Sequence, residues 1–484
     1  METVMNKTII ANVMPEETRV AIIENGRLAE LAIERSENGH IVGNIYKGKV
    51  KNILPGMQAA FVDIGRDKNA FLYLGDLSPQ HGQQEKQQTP LTVGQDITVQ
   101  IMKDAMGTKG PRVTPNITLP GRFLVLMPTV DYIGVSRRIS SERERERLRQ
   151  VAEKVKPAGM GLIVRTVAEG KSEEDIAKDI AYSLNFWQTL SARAKRAAAP
   201  SLLYRDVDLV IRIVRDYLSP DVTAVFLDNR EAYSRICDLL TYISPELVPV
   251  IQLYQGQDDI FSHFSVATDV DEIGKRVVSL KCGGYIVIDH TEALTVIDVN
   301  TGKFTGRTSL SDTVFQANLE AAAEIARQIR LRDIGGIIII DFIDMDKAEQ
   351  KQAVLAALEQ KIKEDKTKTN ILGLTALGLV EMTRKKARKN IDQFLYSECP
   401  CCQGRGRIQS PETVVIHALR KLRHVATRQR AKGNLVVQMH PRAAEVMLRP
   451  GEKERLEQEL ARSITVEPVA SLQGEVFSIL TGRE

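Results

Sequence analysis

Two stretches, GGIIIIDFIDM at residues 335–345 and LTVIDVNTG at residues 294–302, decide how this chain folds around its candidate site. Each is an apolar run typical of a β-strand, and the runs lead directly into Asp341 and Asp298. The four consecutive isoleucines before Asp341 predict a strand that is buried on both faces. Asn300 follows Asp298 by two residues, so the two side chains share one face of a strand.

A helical pattern that begins after Ser311 separates the two strands, as in a crossover connection. We therefore expect Asp298 and Asp341 to lie side by side at one edge of a sheet. Two convergent carboxylates repel each other and suit a hard cation such as Mg²⁺, which water and substrate phosphate would also ligate. Alternatively, each aspartate caps a helix or makes a buried hydrogen bond. The pair, taken with Asn300, favours metal-assisted chemistry.

The composition is that of a globular protein with several domains. The chain has 484 residues, of which 43% are hydrophobic and 26% are charged. Its apolar stretches are too short to span a bilayer, and its first residues lack a signal-peptide core. Five cysteines form no disulfide framework. These features predict a cytoplasmic protein without a membrane partner.

The net charge of +4 is small, but positive residues are concentrated in two runs. These are RKKARK at residues 384–389 and RKLRHVATRQRAK at residues 420–432. Such runs suit phosphates, as in a nucleic acid. The second run also has helical spacing, so a solvated helix face is an equally good explanation.

The N-terminal part of the chain predicts a hairpin followed by a barrel. Asn25-Gly26 between two alternating runs is a strong hairpin signal. The short strands of residues 43–77 resemble an S1 domain, the OB-type barrel that binds single-stranded RNA. In that resemblance, Phe61 and Phe71 are aromatic residues that stack on bases; the alternative is that they belong to the barrel core. Residues 80–95 predict a loop inside the barrel, and residues 103–114 a basic, glycine-rich segment that closes it.

The middle of the chain alternates helices and strands. Residues 140–155 predict an amphipathic helix, and residues 159–166 a strand that ends at Arg165. Ser172 and Asp175 form a helix-capping pattern before a long helix. Residues 202–275 have patterns of both helix and strand. Residues 276–397 predict one α/β unit, and residues 413–484 predict a small separate α/β domain.

Three of the five cysteines lie in ECPCCQGRG at residues 398–406. Cys399 and Cys402 have the C-x-x-C spacing that holds one side of a tetrahedral zinc, with Cys401 between them. A closed structural site needs two more ligands, which would come from distant residues or from a second copy of the chain. A redox pair is the weaker alternative, because the glycines that follow are typical of a knuckle turn.

At this point the motifs identify a resemblance over nearly the whole chain to the bacterial ribonuclease E/G family. They are GNIYKGKV, PGMQAAFVDIG, TKGPRVT, IVRTVAEG, TEALTVIDVNTG, RQIRLRDIGGIIIIDFIDM, LGLVEMTRKK and CPCCQGRG. The length and ALGLVEMTR resemble the shorter branch of the family, which lacks a long C-terminal scaffold. We therefore expect no degradosome scaffold tail.

The resemblance implies a multidomain α/β fold. An RNase H-like structural subdomain would contain the S1 barrel and a 5′-sensor domain as insertions, followed by a DNase I-like catalytic subdomain, a zinc-link and a small α/β domain. The implied boundaries are 1–38 plus 202–275 for the RNase H-like part, 39–117 for S1, 118–201 for the sensor, 276–397 for the catalytic part, 398–412 for the zinc-link and 413–484 for the small domain.

The resemblance also implies Mg²⁺-dependent cleavage of single-stranded RNA that leaves a 5′-phosphate and a 3′-hydroxyl, in rRNA 5′-end processing and mRNA decay. Water activated by Mg²⁺ would attack a backbone phosphate in line. Asp298 and Asp341 would be the Mg²⁺ ligands, with Asn300 close by. The implied RNA-binding residues are Phe61, Phe71 and Lys109.

Two further sites are implied in the same way. A pocket sized for one phosphate would favour RNA with a 5′-monophosphate, and its residues would be Gly121, Val125, Arg138, Arg165 and Thr166. One structural Zn²⁺ would join two chains through Cys399 and Cys402 of each, which gives a homodimer and leaves open a homotetramer. The departure from the family pattern is Cys401.

Two rival functions belong to other classes. One is a non-catalytic RNA-binding or assembly protein that keeps the S1 barrel and the zinc dimer. The other is an RNA regulator that responds to redox state at the cysteines. Buried strands that end in Asp298 and Asp341 argue against the first, because a binding module has no need of paired acids.

Overall fold

A computed structural model describes residues 6–35, 41–77, 91–105, 109–219, 221–302, 310–386, 390–428, 434–449 and 451–481. The chain divides into two compact units, Met1–Leu395 and Tyr396–Glu484. Within the described ranges, no helix is long and apolar enough to cross a membrane. Most of the loop predicted at residues 80–95, part of the segment 103–114, and the ends of both basic runs lie outside these ranges.

The first three strands form an antiparallel meander, and the predicted hairpin is confirmed. Asn25 and Gly26 both have positive φ, 51° and 75°, as a two-residue type I′ turn requires. Alternating residues face two different hydrophobic cores, so both faces of this sheet are covered. The strands are β1 (Lys7–Val13), β2 (Glu17–Glu24) and β3 (Arg27–Arg35).

The next five strands close into a barrel. Their order is β4-β5-β6-β8-β7, and β4 also pairs with β7, which leaves no edge within the ring. The OB-like closed barrel predicted from the short strands and turns is therefore present. The strands are β4 (Ile45–Leu54), β5 (Ala59–Asp63), β6 (Ala70–Tyr73), β7 (Asp96–Lys103) and β8 (Arg112–Thr114).

A four-stranded sheet of order β11-β12-β10-β9 follows, packed against two helices. Ser172 accepts a hydrogen bond from the Asp175 N–H, and Asp175 accepts one from the Ser172 N–H, so the predicted cap is confirmed. The elements are β9 (Leu119–Pro120), β10 (Leu124–Met127), β11 (Ile133–Val135), α1 (Glu142–Val155), β12 (Gly161–Val164) and α2 (Glu173–Arg196). Strand β13 (Ser201–Tyr204) then pairs with β4 at the barrel.

The chain next returns to its first sheet. That sheet has the order β15-β14-β1-β2-β3, and β14 runs parallel to β1, so segments separated by some 200 residues form one sheet. The elements are α3 (Leu209–Tyr217), β14 (Val222–Leu227), α4 (Arg230–Ile243), β15 (Ile251–Leu253), α5 (Ile260–His263) and α6 (Ala267–Glu272).

The α/β unit predicted around the two aspartates is a six-stranded sheet of order β16-β17-β18-β19-β21-β20. Its buried face packs on two adjacent helices through residues such as Ile297, Ile325, Ile338 and Ile340. The elements are β16 (Val277–Ser279), β17 (Tyr285–His290), β18 (Leu294–Asn300), α7 (Leu310–Leu331), β19 (Gly336–Asp341), α8 (Ala348–Ile362), β20 (Thr369–Leu374), β21 (Val380–Arg384) and α9 (Ile391–Leu395).

The prediction that the four isoleucines are buried on both faces is wrong. Ile338 and Ile340 are fully buried, whereas Ile337 is 48% exposed and Ile339 is partly exposed. Both α7 and α8 pack on the same core, so the sheet keeps one open face. A run of β-branched residues therefore predicts a strand, but it does not predict that both faces of the strand are buried.

The second unit contains a three-stranded sheet of order β23-β22-β24. Strand β22 is central, parallel to β23 and antiparallel to β24, and its core is covered by the helices. The basic run from Arg420 to Arg428 lies on α10, as its helical spacing predicted. The elements are α10 (Pro411–Arg428), β22 (Leu435–Met439), α11 (Pro441–Met447), α12 (Glu452–Leu460), β23 (Ile464–Pro468) and β24 (Phe477–Thr481).

Candidate active site

The structure brings the two predicted aspartates together. Strands β18 and β19 are parallel, and their register makes Asp298 and Asp341 direct partners. Asn300 lies on the same face, and its side-chain amide donates a 2.7 Å hydrogen bond to Oδ2 of Asp298. Both carboxylates are exposed on the open face of the sheet, opposite the helices. A ligand can therefore approach them from solvent.

Three of the described carboxylates act on one another at this edge of the sheet. Partial burial raises the pKa of Asp341, and the neighbouring carboxylates of Asp298 and Asp344 raise it further. No lysine or arginine of the described residues forms an ion pair with Asp298 or Asp341. Two acids held next to each other without a counter-charge are suited to binding a cation.

The donor set fits Mg²⁺ better than a metal held entirely by protein. The described residues contain no group of three or more His, Cys, Asp and Glu side chains that could hold a metal ion. Mg²⁺ is usually bound by one or two carboxylates, with waters and substrate phosphate as its other ligands. The pair Asp298 and Asp341 meets that requirement, and Asn300 keeps one of the two carboxylates in place.

The barrel aromatics lie next to each other. Phe61 and Phe71 are partners across β5 and β6, with ring centroids 6.2 Å apart in an edge-to-face arrangement. Both are partly exposed and neither belongs to the buried core of the barrel. The Phe71 N–H donates to the carbonyl of Pro111, so the segment that begins at the exposed Lys109 runs beside the pair. The three predicted RNA-binding residues thus share one side of the barrel.

Gly110 explains how that segment approaches so closely. A side chain at this position would place its Cβ 2.2 Å from the carbonyl oxygen of Asn69. Only glycine avoids that contact, which accounts for the glycine directly after Lys109.

Arg165, at the predicted phosphate pocket, already has two hydrogen-bond partners within the protein. Its guanidinium donates to the Gly121 carbonyl at 2.8 Å and to Oδ1 of Asp216 at 2.6 Å. Arg215 binds the same carboxylate, and these two arginines outweigh burial and lower the pKa of Asp216. Two guanidinium groups, those of Arg165 and Arg215, therefore converge on one carboxylate.

Three other predicted pocket residues have partners outside this cluster. The Thr166 hydroxyl lies 2.8 Å from the Ser136 hydroxyl, which also accepts a hydrogen bond from the Arg138 N–H. The Arg138 guanidinium, however, donates to the carbonyl of Asp365, in the loop after α8. Val125 lies in β10, between partners in β9 and β12.

Sequence reasoning missed a buried carboxylate that holds the backbone next to Gly121. Asp179, on α2, is 4% exposed and accepts hydrogen bonds from three consecutive N–H groups, those of Arg122, Phe123 and Leu124. A Cβ at Gly121 would lie 2.6 Å from the same carboxylate. Asp179 thus fixes the turn whose Gly121 carbonyl receives Arg165. Its position in a long helix gave no signal, because the partners are some 55 residues away in sequence.

The cysteine segment belongs to the second unit. Cys399 and Cys401 are exposed and Cys402 is partly exposed, all three as free thiols. Hydrogen bonds from the backbone N–H groups of Cys402 and Cys401 lower the pKa of the Cys399 thiol. The turn ends before α10 begins at Pro411, so no helix starts at the C-x-x-C pair, in contrast to a redox motif at a helix N-terminus.

These features define a multidomain α/β protein with a closed barrel and an exposed pair of carboxylates suited to a hard cation. The sequence model described as "Ribonuclease E/G family" matches residues 118–387, more than half of the chain. A second one, "RNase E/G, Thioredoxin-like domain", matches residues 398–482, which include the cysteine segment and the small α/β domain. The chain belongs to the ribonuclease E/G family.

Curated relatives agree with this assignment. Ribonuclease G of Escherichia coli (strain K12) is 45% identical over 428 residues, which cover 86% of this chain and 88% of the relative. Ribonuclease G of Haemophilus influenzae is 42% identical over 424 residues, which cover 86% of this chain and 86% of the relative. Ribonuclease E of Nostoc is 42% identical over 80% of this chain and 57% of the relative.

Replacement of the buried carboxylate tests its role in the turn. Asp179→Asn keeps the size of the side chain but replaces one acceptor oxygen with an NH₂ group, so at least one buried N–H loses its partner, at a cost of about 1–3 kcal/mol. We expect faster hydrogen exchange at residues 122–124, measured by mass spectrometry. Asp175→Asn, in the same helix, should affect only the helix start. Unchanged exchange at residues 122–124 would contradict the assignment.

Proposed function

We propose that this endoribonuclease cleaves single-stranded RNA with the help of Mg²⁺, prefers 5′-monophosphorylated ends, and leaves a 5′-phosphate and a 3′-hydroxyl. Its substrates would be rRNA precursors and mRNA. The observation that carries the proposal is the register of β18 and β19, which pairs Asp298 with Asp341 in a member of the ribonuclease E/G family. A non-catalytic RNA-binding protein would have no need of two adjacent, exposed aspartates.

Asp298 and Asp341 would hold the Mg²⁺ on the open face of the sheet. When bound there, the ion would lower the pKa of a water and neutralise charge on the scissile phosphate. Asn300 donates to Asp298 and so fixes the orientation of that carboxylate before substrate binds. The β-sheet carries both acids on adjacent strands, so little movement is needed to form the site.

Phe61, Phe71 and Lys109 would hold the RNA strand. The two partly exposed rings offer apolar surface to unpaired bases, and stacking on an aromatic ring is worth about 1–3 kcal/mol per base. The exposed ammonium of Lys109 would attract the phosphate backbone. Such contacts favour a single strand because the bases of a duplex are already stacked.

The 5′-monophosphate would bind near Arg165 and Gly121, with Thr166 and Arg138 at the same pocket. The arrangement supports this because two arginines share one carboxylate, Asp216, and retain donors for an anion. The phosphate would compete with Asp216 for the Arg165 guanidinium. A 5′-triphosphate would be too large for a pocket that Asp179 holds in one conformation.

One Zn²⁺ shared by two chains would complete the cysteine site. Cys399 and Cys402 supply two of the four thiolates of a tetrahedral site, and the lowered pKa of Cys399 favours the thiolate that a zinc ligand must be. A second copy would supply the other two. This arrangement would make the protein a homodimer.

Removal of one carboxylate tests the proposed chemistry. Asp298→Asn should lower kcat at least about a hundredfold, because a neutral amide binds Mg²⁺ poorly, while RNA affinity changes less than about threefold. Cleavage of a labelled single-stranded RNA and filter binding would measure both. Asp289→Asn is the matched control, since Asp289 lies on the same sheet but is paired with Arg276. Full activity of Asp298→Asn would refute the metal-ligand role.

Substitution of Arg165 tests the phosphate pocket. Arg165→Ala should bring the ratio of cleavage rates for 5′-monophosphorylated and 5′-hydroxyl RNA close to one, because the phosphate loses its bidentate partner. Arg193→Ala, an exposed arginine on α2, should leave the ratio unchanged. If Arg165→Ala keeps the wild-type ratio, the pocket lies elsewhere.

The zinc site has a test that does not depend on activity. Cys399→Ala should release zinc and convert the dimer to a monomer, measured by metal analysis and sedimentation velocity. Cys401→Ala should keep both, because the outer cysteines have the C-x-x-C spacing. A zinc-bearing dimer of Cys399→Ala would rule out the shared site.

A further inference from the structure

A rigid turn at residues 375–379 joins β20 to β21. The N–H of Thr375 donates to the Leu379 carbonyl at 2.8 Å, and the N–H of Gly378 donates to the Thr375 carbonyl at 3.0 Å. The Thr375 hydroxyl accepts two more hydrogen bonds, from the N–H groups of Leu377 and Leu379. Gly378 has a φ of 84°, which few residues other than glycine adopt. Four hydrogen bonds thus fix the conformation of a five-residue turn.

The turn holds an apolar side chain in solvent. Leu377 is 83% exposed, the largest exposed fraction of any large hydrophobic residue among the described parts of the chain. A polar residue would be accommodated at this position without exposing apolar surface. A leucine that a rigid turn presents to solvent is suited to an apolar contact with a ligand.

The turn lies beside the carboxylate pair. Val380, the first residue of β21, pairs with Ile340, the residue before Asp341. The two strands are antiparallel, so the turn that precedes Val380 flanks the end of β19 that carries Asp341.

On the other side of the pair, Asp298 pairs with Val287 of β17, and Val287 pairs with Val277 of β16. These three residues form one row across the open face. Val277 is 48% exposed. The two acids therefore lie between the row that ends in Val277 on one side and the turn that carries Leu377 on the other.

This alternation of apolar and acidic groups matches an RNA strand better than a protein partner. A protein that covered both Val277 and Leu377 would also enclose Asp298 and Asp341, at a large desolvation cost. A single strand of RNA brings its phosphate to the acids through a cation, and the apolar faces of the flanking bases then lie over the neighbouring positions. Leucine is among the side chains that insert next to bases in nucleic-acid complexes.

We propose that Leu377 packs against the unpaired base next to the scissile phosphate, and that this contact contributes to the choice of single-stranded RNA. The inference rests on the proposed cleavage site and adds a base contact to it. In a duplex the base faces are stacked inside the helix and cannot reach the turn. Single-strand selection would then occur at the carboxylates as well as at the barrel.

The test compares Leu377→Ser with Leu372→Ser. Leu372 is also a strongly exposed leucine, 69%, but it lies on the edge strand β20 outside the turn. Each protein cleaves an RNA with one cut site, either intact or with an abasic nucleotide next to the cut. Leu377→Ser should lower kcat/KM for intact RNA roughly fivefold to tenfold. The abasic nucleotide should lower kcat/KM of wild type and of Leu372→Ser by a similar factor. It should lower kcat/KM of Leu377→Ser little further.

A binding experiment separates failure of this inference from failure of the proposed function. In the Asp298→Asn background, an RNA with 2-aminopurine next to the cut site should change fluorescence on binding, and Leu377→Ser should remove that change. The inference would be overturned if the abasic nucleotide lowered kcat/KM equally for wild type and Leu377→Ser, and if Leu377→Ser kept the fluorescence change on binding. A smaller species of Leu377→Ser in sedimentation would also overturn it, because the turn would then contact a second copy of the chain.

Discussion

The parallel pairing of β18 with β19 is the constraint on which the rest of the site depends. Parallel neighbours need a crossover connection, and α7 provides it by packing on the buried face of the sheet. The register then makes Asp298 and Asp341 partners. A shift by one residue would turn one of the two acids toward the helices, where an unpaired charge is costly. The packing of α7 and the position of the acids therefore depend on each other.

The same one-sided packing explains the exposure of the site. Helices α7 and α8 cover one face of the sheet, which leaves Asp298, Asp341 and Ile337 on the other. Water solvates the two carboxylates there, so their mutual repulsion does not have to be offset by a fixed counter-charge.

Local patterns predicted a large part of this structure. The positive-φ turn at Asn25, the cap at Ser172 and the shared face of Asp298 and Asn300 follow from the sequence because each involves residues close together in the chain. The one-sided burial of the isoleucine strand did not follow, because it depends on where two helices pack. Asp179 was also missed. Its three N–H partners come from a distant turn, and one carboxylate in a helix does not indicate such a role.

The loop after α8 connects the proposed phosphate pocket with the sheet that carries Asp298 and Asp341. The Asp365 carbonyl accepts from Arg138, while its carboxylate pairs with Arg384, and both partners of that pair are almost fully buried. Arg384 also donates to the Ile334 carbonyl and lies opposite Gly336, the first residue of β19. A buried pair of this kind resists rearrangement, because separation of the charges leaves each without a partner. The fold therefore holds Arg138, at the proposed phosphate pocket, at a fixed position relative to the strand that carries Asp341.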